Sequence, residues 1–313
     1  MYTLRNIYIL DRPFNNMKRK VVKHGTTTLT ISLPVQWVKK FDIKQGDELD
    51  VNEKGNKIII TPYNEHTENE YEVMINEGEY TPRLLVIIPY INGYDKIKIK
   101  FNNKSIHKYI DSLIKDFLMG FEIIEQGQNF IVIKNIAKGI EQEFDIILNR
   151  LIIIAISMMK DVKEAFEKKD FTIIENMKTT EMNANKINLF CRRMLNVLGH
   201  KERRVTSLYC FVNYLEHITD ECNDLSEYVV KNKVVPSKEI IEYLNNLIQE
   251  IELWYKTFNE YKTEYITKMK IIDQKLYLQN YKLMEKCKKN ETMILHHFLI
   301  IKEILYNMIE ELG

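Results

Sequence analysis

The spacing of hydrophobic and polar positions changes twice along the chain. Apolar residues come in short β-rich runs over residues 17–62, in mixed strand-like and helix-like segments over residues 63–138, and with a helical period over residues 139–313. The pattern predicts a multidomain α+β protein. We expect an N-terminal β domain, a small α+β connector and a C-terminal all-α domain within these three ranges.

The N-terminal region has four short runs rich in β-forming residues, and each is predicted to be a strand. The runs are Lys20–Lys23, Thr28–Leu33, Glu48–Glu53 and Lys57–Thr61. Pro34 opens a short helical segment between the two pairs, and Lys54-Gly55-Asn56 is typical of a hairpin turn. The predicted order is β-β-α-β-β. Because so short a domain buries little apolar surface, we expect two copies to share one barrel.

The connector begins with an acidic, turn-rich segment, residues 63–82, which is predicted to be a linker that becomes a strand near Tyr71–Ile75. Residues Ile106–Leu118 have helical spacing. Three more strands are predicted at Ile97–Phe101, Phe121–Glu125 and Phe130–Lys134. The alternation of both element types indicates a small α+β fold.

Residues 140–313 contain one proline, Pro236, and two glycines, Gly199 and Gly313. The apolar residues of this region form continuous helical stripes, and the breaks between them predict six helices. The breaks are expected at Lys169-Asp170, Gly199-His200, Pro236-Ser237, Glu264–Thr267 and Asn290-Glu291. Because Pro236 falls between two sets of three helices, we predict two related three-helix units.

The formal net charge is only +1, but the charge is unevenly distributed. Residues 1–62 have 11 Lys and Arg against 6 Asp and Glu. Six residues in this part are candidates for contacts with DNA: Lys18, Arg19, Lys20, Lys23, Thr26 and Thr27. The alternative is a solvated edge strand whose lysines prevent aggregation, with the threonines as ordinary β-branched strand residues. The sequence leaves both interpretations open.

Cysteine spacing, the length of the apolar stretches and the catalytic motifs indicate which classes of protein the sequence does not fit. The four cysteines have no CxxC spacing, which predicts reduced thiols in a cytoplasmic protein. The longest apolar stretch, Leu151–Met159, is too short to cross a bilayer, so we expect no membrane insertion. The sequence has no nucleophile–base constellation, P-loop or dinucleotide fingerprint, and we predict that the protein is not an enzyme.

The N-terminal region resembles the AbrB/SpoVT family. The resemblance rests on the basic run Arg19–Lys23, on Ile31–Trp37 (ISLPVQW) and on Gly46–Leu49 (GDEL). In this family a basic strand, a strand that ends in LP, a short helix and GD follow one another in the same order. The resemblance implies a domain-swapped hairpin dimer with a basic DNA-binding face.

The rest of the chain resembles archaeal phosphate uptake regulators, in which an AbrB-like domain is fused to a PhoU-like helical domain. The resemblance rests on Pro89–Asp95 and Gly120–Ile123 in the connector and on the six predicted helices. In addition, Glu216–Glu227 (EHITDECNDLSE) is similar to the acidic motif with which PhoU-like helices can bind metal clusters. The C-terminal domain is therefore expected to be a PhoU-like bundle.

The resemblance implies a divalent or ferric metal ion held by Glu181, Glu216 and Asp220. Glu216 and Asp220 are four residues apart, so both carboxylates lie on one helix face. The motif is incomplete elsewhere and has amides where acids are expected, namely Asn185 after Glu181 and Asn307 after Glu303. A solvated helix face without a metal ion is the alternative interpretation.

These features predict a cytoplasmic transcriptional or signalling regulator of phosphate uptake or metabolism. We expect it to be a homodimer through the N-terminal domain, to bind DNA, and to use its helical domain as a sensor or partner-binding module. A second hypothesis is an adaptor that does not bind DNA and regulates a phosphate transporter or sensor kinase through protein contacts. A third is a metal-dependent hydrolase that uses the acidic helix faces.

Overall fold

The computed structural model describes residues 18–54, 57–62, 69–76, 81–103, 106–137, 139–198 and 204–312. Contacts divide the chain into two compact units, Met1–Thr67 and Glu68–Gly313. The boundary predicted at residue 138 therefore separates two kinds of secondary structure within the second unit. Three predicted features lie wholly or largely outside the described residues: the turn at Gly55-Asn56, the acidic linker and the break at Gly199-His200.

The first unit consists of two hairpins with a short helix between them. Its elements are β1 (Val22–His24), β2 (Thr28–Thr30), α1 (Val35–Lys40), β3 (Leu49–Lys54) and β4 (Lys57–Pro62). Both strand pairs are antiparallel. Pro34 has an extended backbone and immediately precedes α1, which fits its fixed φ and missing N–H. The predicted order β-β-α-β-β is confirmed.

The second unit begins with a four-stranded sheet and two helices. Its elements are β5 (Glu70–Ile75), α2 (Pro82–Ile91), β6 (Lys96–Phe101), α3 (Ile106–Phe117), β7 (Phe121–Gln126) and β8 (Phe130–Asn135). The strand order is β5-β6-β8-β7, and only the β5–β6 pair is parallel. A parallel pair needs a crossover connection, and α2 lies in it. The predicted α+β fold of this region is confirmed, with α2 formed by an apolar run to which the sequence pattern assigned no element.

Six long helices follow in the described part of residues 139–312. They are α4 (Phe144–Lys168), α5 (Met177–Leu198), α6 (Val205–Asn232), α7 (Lys238–Asn259), α8 (Thr263–Lys286) and α9 (Thr292–Glu310). The break predicted at Glu264–Thr267 is wrong, because this segment forms the first turns of α8. An ion pair of 2.6 Å between Glu264 and Lys268, one turn apart, supports the helix there. No helix in the described ranges is both long and apolar enough to cross a bilayer.

The six helices share one hydrophobic core. The rings of Phe211 in α6 and Trp254 in α7 are stacked, with centroids 4.0 Å apart. The indole Nε1 of Trp254 donates a hydrogen bond of 2.9 Å to the carbonyl oxygen of Met308 in α9. Because these contacts connect α6, α7 and α9, the helices before and after Pro236 pack as one body.

Arg193 in α5 forms hydrogen bonds that connect the sheet region to the helices. The guanidinium is buried and donates hydrogen bonds of 2.8 Å to the carbonyl oxygens of Tyr90 and Tyr94 and of 2.9 Å to the Asp95 carboxylate. It also lies 5.0 Å from the ring centroid of Phe121. A planar donor fork of this kind holds several acceptors in one fixed geometry. One buried side chain therefore connects the sheet region to α5.

Candidate functional site

The basic candidates of the first unit follow one another along a single segment. Lys18, Arg19 and Lys20 precede β1, and Lys23 lies within it; all four side chains are exposed. Lys23 pairs with Leu29 across the hairpin. The segment thus presents a row of cationic groups to solvent, as contacts with successive phosphates of a nucleic-acid backbone require.

The two threonine candidates lie in the turn between β1 and β2. Gly25 opens this turn with a φ of 72°, a left-handed conformation that glycine adopts without a steric clash. Thr26 and Thr27 follow it and are exposed. Their interpretation as strand residues is therefore wrong, because the strand begins only at Thr28. Their contact with DNA stays a prediction.

Lys44, further along the first unit, is occupied within its own loop. Its Nζ lies 3.0 Å from the Asp42 carboxylate, and its backbone N–H donates a hydrogen bond of 2.7 Å to Asp47. The hydrogen bond between the Lys44 side chain and Asp42, together with the negative charge of Asp42, raises the pKa of Lys44. The positive charge of Lys44 is thus offset locally.

The first unit exposes most of its apolar side chains in a single chain. The exposed fractions include Val22 at 59%, Leu29 at 69%, Val51 at 63% and Ile58 at 70%. Trp37 is only half-buried, and the centroid of its ring lies 5.5 Å from that of Phe41. None of the residues of this unit whose side chains are described is buried. One copy of the unit therefore has no hydrophobic core in its described part.

The three acidic candidates come together between α5 and α6. Glu181 in α5 is 4% exposed, and Glu216 and Asp220 in α6 are partly buried. Glu181 accepts a hydrogen bond from the Asn185 amide, and its other oxygen lies 2.9 Å from the Lys178 ammonium. The Asp220 carboxyl lies close enough to that of Glu181 for the two groups to interact. Lys178 thus forms an ion pair with one of three neighbouring carboxyl groups.

This crowding changes the acidity of two of the three carboxyl groups. Burial and the charges of Glu216 and Glu181 raise the pKa of Asp220 to about 7. Burial also raises the pKa of Glu216, although the nearby His217 and Arg192 act in the opposite direction. Each negative charge makes ionisation of its neighbour more costly. The cluster therefore favours a bound proton or cation near neutral pH.

The ligand set for a metal ion is incomplete in this arrangement. Within the described ranges, no group of three or more His, Cys, Asp and Glu side chains is placed to hold a metal ion. Asn185 stands where the motif has an acid, and the buried Oδ1 atoms of Asn185 and Asn223 have no hydrogen-bond partner among these residues. In α9, Glu303 is exposed and pairs with Lys302 at 3.2 Å. Oxygen donors are present near α5 and α6, but their geometry is not preformed.

Helices α7, α8 and α9 form a second buried polar cluster, which the sequence pattern did not predict. Glu250 is 1% exposed, and neither of its carboxylate oxygens has a hydrogen-bond partner in the part of the chain that the structure describes. Asp273 and Lys302 are buried beside it and form an ion pair of 3.2 Å. Burial and the charge of Asp273 raise the pKa of Glu250 to about 8. One sequence feature could have indicated this cluster: Glu250 lies between Leu247 and Trp254 on the apolar stripe of α7.

Comparison with known proteins finds similarity in the N-terminal part of the chain. Residues 22–68 match the family described as antidote-toxin recognition MazE, bacterial antitoxin. No curated protein and no solved structure matches the chain. The matched segment contains both hairpins and α1, and the match supports a swapped-hairpin domain of the MazE/AbrB-like type. Domains of this type commonly dimerise and bind DNA, which points to a DNA-binding or antitoxin-type regulator.

Proposed function

We propose that the protein is a homodimeric DNA-binding regulator whose helical region senses a ligand or partner. The observation that carries the proposal is the MazE-like segment at residues 22–68, whose exposed apolar strands lie beside the basic row Lys18–Lys23. The proposed function involves no catalytic step. The effector would act through a difference in affinity. If it binds one arrangement of the helical region more tightly than another, it shifts the equilibrium between them, and the coupling free energy appears equally in DNA binding.

Dimerisation is part of the proposal because the first unit needs a partner surface. Val22, Leu29, Val51 and Ile58 are each more than half exposed in one copy. Burial of apolar surface stabilises a fold by about 25 cal/mol per Å². Two copies that share one barrel would bury these side chains against each other. The same symmetry would double the basic row, so that one dimer presents two such rows to DNA.

Salt-dependent DNA binding tests the proposal. We expect filter binding of the full chain to genomic fragments to weaken steeply with salt, and the triple variant K18A/K20A/K23A to lower the salt slope by about 0.9 for each phosphate that is no longer neutralised. The matched control K108A/K231A/K238A removes three exposed lysines of the second unit and should bind as the wild type does. Binding that is absent or insensitive to salt in the wild type would refute DNA recognition.

The helical region is proposed to be a PhoU-like module that links the regulator to phosphate uptake. This part rests on the resemblance of the connector and of the acidic motif, and on the cluster of Glu181, Glu216 and Asp220. We propose that the cluster takes up a divalent or ferric ion, with the three carboxylates as ligands. Since the ion would replace the proton of Asp220, whose pKa is raised to about 7, binding should strengthen between pH 6 and pH 8.

Thermal unfolding with added metal tests this assignment. Mn²⁺, Mg²⁺ or Fe³⁺ added to the full chain at pH 7.5 should raise the midpoint for the wild type, because a ligand that binds only the folded state stabilises it. The variant E216Q/D220N should lose that response, and the variant E264Q/E285Q, which removes exposed carboxylates of α8, should keep it. If none of the three ions shifts the wild-type midpoint, the cluster is not a metal site.

An antitoxin-type regulator is a second candidate, because the matched family is described as a bacterial antitoxin. In that case the protein would bind a toxin protein as its partner. A related alternative is an adaptor for a phosphate transporter or sensor kinase. The K18A/K20A/K23A variant separates these functions: a DNA-binding regulator loses activity in cells, whereas an adaptor keeps it.

A further inference from the structure

Helix α8 is held on the bundle by fewer buried side chains than its two neighbours α7 and α9. Of its 24 residues four are buried, and three of these are apolar, namely Met269, Leu276 and Leu283. Helix α7 has ten buried residues among 22, and α9 has nine among 19. The fourth buried residue of α8 is Asp273, which lies in the middle of its packed face. Polar groups therefore have a larger share in the attachment of α8 than in that of α7 or α9.

Hydrogen bonds and an ion pair join α8 to α7 along one side. The Asn246 amide of α7 donates a hydrogen bond of 3.0 Å to the Gln279 side chain and accepts one of 3.2 Å from the Lys275 ammonium. Lys275 also lies 3.2 Å from the Glu242 carboxylate, and both side chains are about half exposed. Because exposed ion pairs contribute little free energy, the attachment of α8 depends strongly on the buried groups at its centre.

Glu250 of α7 is the buried acid that faces α8 and α9. It is 1% exposed, and both of its carboxylate oxygens lack a hydrogen-bond partner among the described residues. The charged groups that act on it are Asp273 and Lys270 of α8 and Lys302 of α9. On α7 itself, two turns before Glu250, the hydroxyl of Tyr243 is also buried without a partner in the described part of the chain. The environment of Glu250 therefore offers nearby charges but no hydrogen bond from the fold.

Helix α4 packs on α7 as well, but its lysines interact with other residues of α7. Lys160 lies 2.6 Å from the Glu252 carboxylate, and Lys163 donates a hydrogen bond of 2.8 Å to the Asn245 side chain. At about 100° of rotation per residue, positions 245 and 252 lie on the side of α7 that is turned away from Glu250. The charge of Glu250 is therefore governed from α8 and α9.

The two lysines near Glu250 compensate its charge only in part. The Lys302 ammonium lies 3.2 Å from the Asp273 carboxylate and 3.2 Å from that of Glu303, so two acids already share its charge. The Lys270 ammonium lies over the ring of Tyr306, 4.2 Å from its centroid, and the side chain is exposed. When Glu250 ionises, the buried group of Glu250, Asp273 and Lys302 has an excess of one negative charge. Such a charge is costly in a buried position and is relieved when water reaches it.

We propose that Glu250 is a pH-sensitive switch that controls the attachment of α8 to the bundle. With Glu250 protonated, α8 lies on α7 and α9 as the structure describes. When Glu250 loses its proton to the solvent, α8 separates from these two helices and water reaches the carboxylate. The helical region thereby responds to the proton concentration. This response is independent of DNA binding by the first unit and of the proposed metal ligands Glu181, Glu216 and Asp220.

Contacts that do not involve α8 keep the neighbouring helices together. Trp254 of α7 is stacked on Phe211 of α6 and donates its hydrogen bond to Met308 of α9. At the far end of α8, the Glu291 carboxylate accepts a hydrogen bond of 2.6 Å from the backbone N–H of Ser237, which precedes α7. This bond fixes the start of α9 beside the connection between α6 and α7. The separation is therefore confined to α8.

The direction of the switch follows from the pKa of Glu250. Burial and the charge of Asp273 raise it from 4.5 to about 8. The closed arrangement thus binds the proton more tightly than an open arrangement in which the carboxylate is solvated. The equilibrium constant for opening α8 should rise about tenfold for each pH unit between 4.5 and 8 and level off above 8. Helix α8 is therefore attached most firmly in acid and least firmly in mildly alkaline solution.

Hydrogen exchange of the full chain tests the proposal, with mass spectrometry at pH 6, 7 and 8 and rates converted to protection factors. In the wild type, the protection of α8 amides should fall about tenfold for each pH unit, and that of α4 amides should fall less. The variant E250Q cannot ionise at this position, so its α8 protection should not depend on pH. The matched control E285Q replaces an exposed glutamate of α8 and should keep the wild-type dependence.

The variant D273N provides a second test if circular dichroism shows that E250Q does not fold. Without the negative charge of Asp273, Lys302 is available to neutralise Glu250, so the pH dependence of α8 protection should shrink. Three results would overturn the proposal. The protection of α8 in the wild type could be independent of pH, it could change equally in α4 and α8, which indicates opening of the whole bundle, or its pH dependence could persist unchanged in E250Q or in D273N.

Discussion

At the scale of single residues, the described helices bury charged groups in two different ways. Arg193 is buried, and its guanidinium donates hydrogen bonds to two carbonyl oxygens and to the Asp95 carboxylate, so its charge is compensated. Glu250 is buried without a hydrogen-bond partner among the described residues. An uncompensated carboxylate in a buried position favours its protonated form. The free energy of unfolding should therefore depend on the ionisation of Glu250.

The sign of this dependence follows from the pKa of Glu250, which is raised from 4.5 to about 8. The folded protein holds the proton more tightly than the unfolded chain does. The stabilising effect of this proton is fully present below pH 4.5 and is lost as the pH rises through 8. We expect the free energy of unfolding to fall by up to ~1.4 kcal/mol per pH unit within this window.

The variant E250Q should remove the part of this pH dependence that Glu250 contributes, because glutamine cannot ionise. The part contributed by Asp220, whose pKa is raised to about 7, should remain. Urea unfolding followed by circular dichroism at pH 5, 6, 7 and 8 measures the slope. The control E285Q replaces an exposed glutamate of α8 and should keep the wild-type slope. An unchanged slope in E250Q would show that Glu250 is not protonated in the folded protein.

At the scale of elements, the sheet region is held on the helices by both packing and Arg193. The core of the sheet region includes Leu189 of α5 together with residues of β6 and α3. The Arg193 guanidinium bonds to the loop that enters β6 through Tyr94 and Asp95. Loss of the guanidinium would remove the side-chain donor of the Tyr94 carbonyl oxygen and one of the two donors of the Tyr90 carbonyl oxygen, and such losses cost free energy.

We expect R193M to destabilise the second unit by about 3 kcal/mol. R193K should recover only part of this, because an ammonium cannot bond to three acceptors in the plane of a guanidinium. The neighbouring R192M is the matched control, since Arg192 donates to the Tyr209 hydroxyl in a part-buried contact at 3.0 Å. Denaturant unfolding of the three variants compares them. Equal losses for R193M and R192M would contradict the role given to Arg193.

At the scale of the whole molecule, the two units differ in how they obtain a core. The second unit has a large hydrophobic core of its own within the described residues. The first unit exposes its apolar strand residues in a single chain. Since natural domains rarely leave so much apolar surface uncovered, the first unit is expected to fold as part of a dimer.

The substitution I58K tests the shared barrel. Ile58 is 70% exposed in one copy and lies opposite Glu53 across the β3–β4 hairpin, so a lysine there would be harmless in a monomer. In a dimer that buries Ile58, the charge should dissociate the two copies. Sedimentation equilibrium should then give the monomer mass for I58K and the dimer mass for the control I124K. A dimer that survives I58K would exclude Ile58 from the interface.

The sequence by itself determined the order and type of most elements, because hydrophobic periodicity depends only on which face of a strand or helix is covered. Both hairpins, α1, the four strands of the connector sheet near their predicted ends, and the six helices follow from such patterns. The start of α8 was misplaced, since local ion pairing between Glu264 and Lys268 supports a helix where turn-like composition predicted a break. Boundaries depend on such local competition more than on periodicity.

Only the tertiary structure decided which polar residues are buried and which apolar residues are not. Glu181, Glu216 and Asp220 were candidates from a motif, but the raised pKa values of Glu216 and Asp220 arise from the packing of α5 against α6. The burial of Glu250 and of Arg193 depends on contacts between elements distant in sequence. Burial and charge compensation are properties of neighbours in space, so a spacing rule along one element cannot supply them. The basic residues of the first unit could be identified from the sequence. The lack of a hydrophobic core in one copy of that unit follows only from the positions of its side chains in the structure.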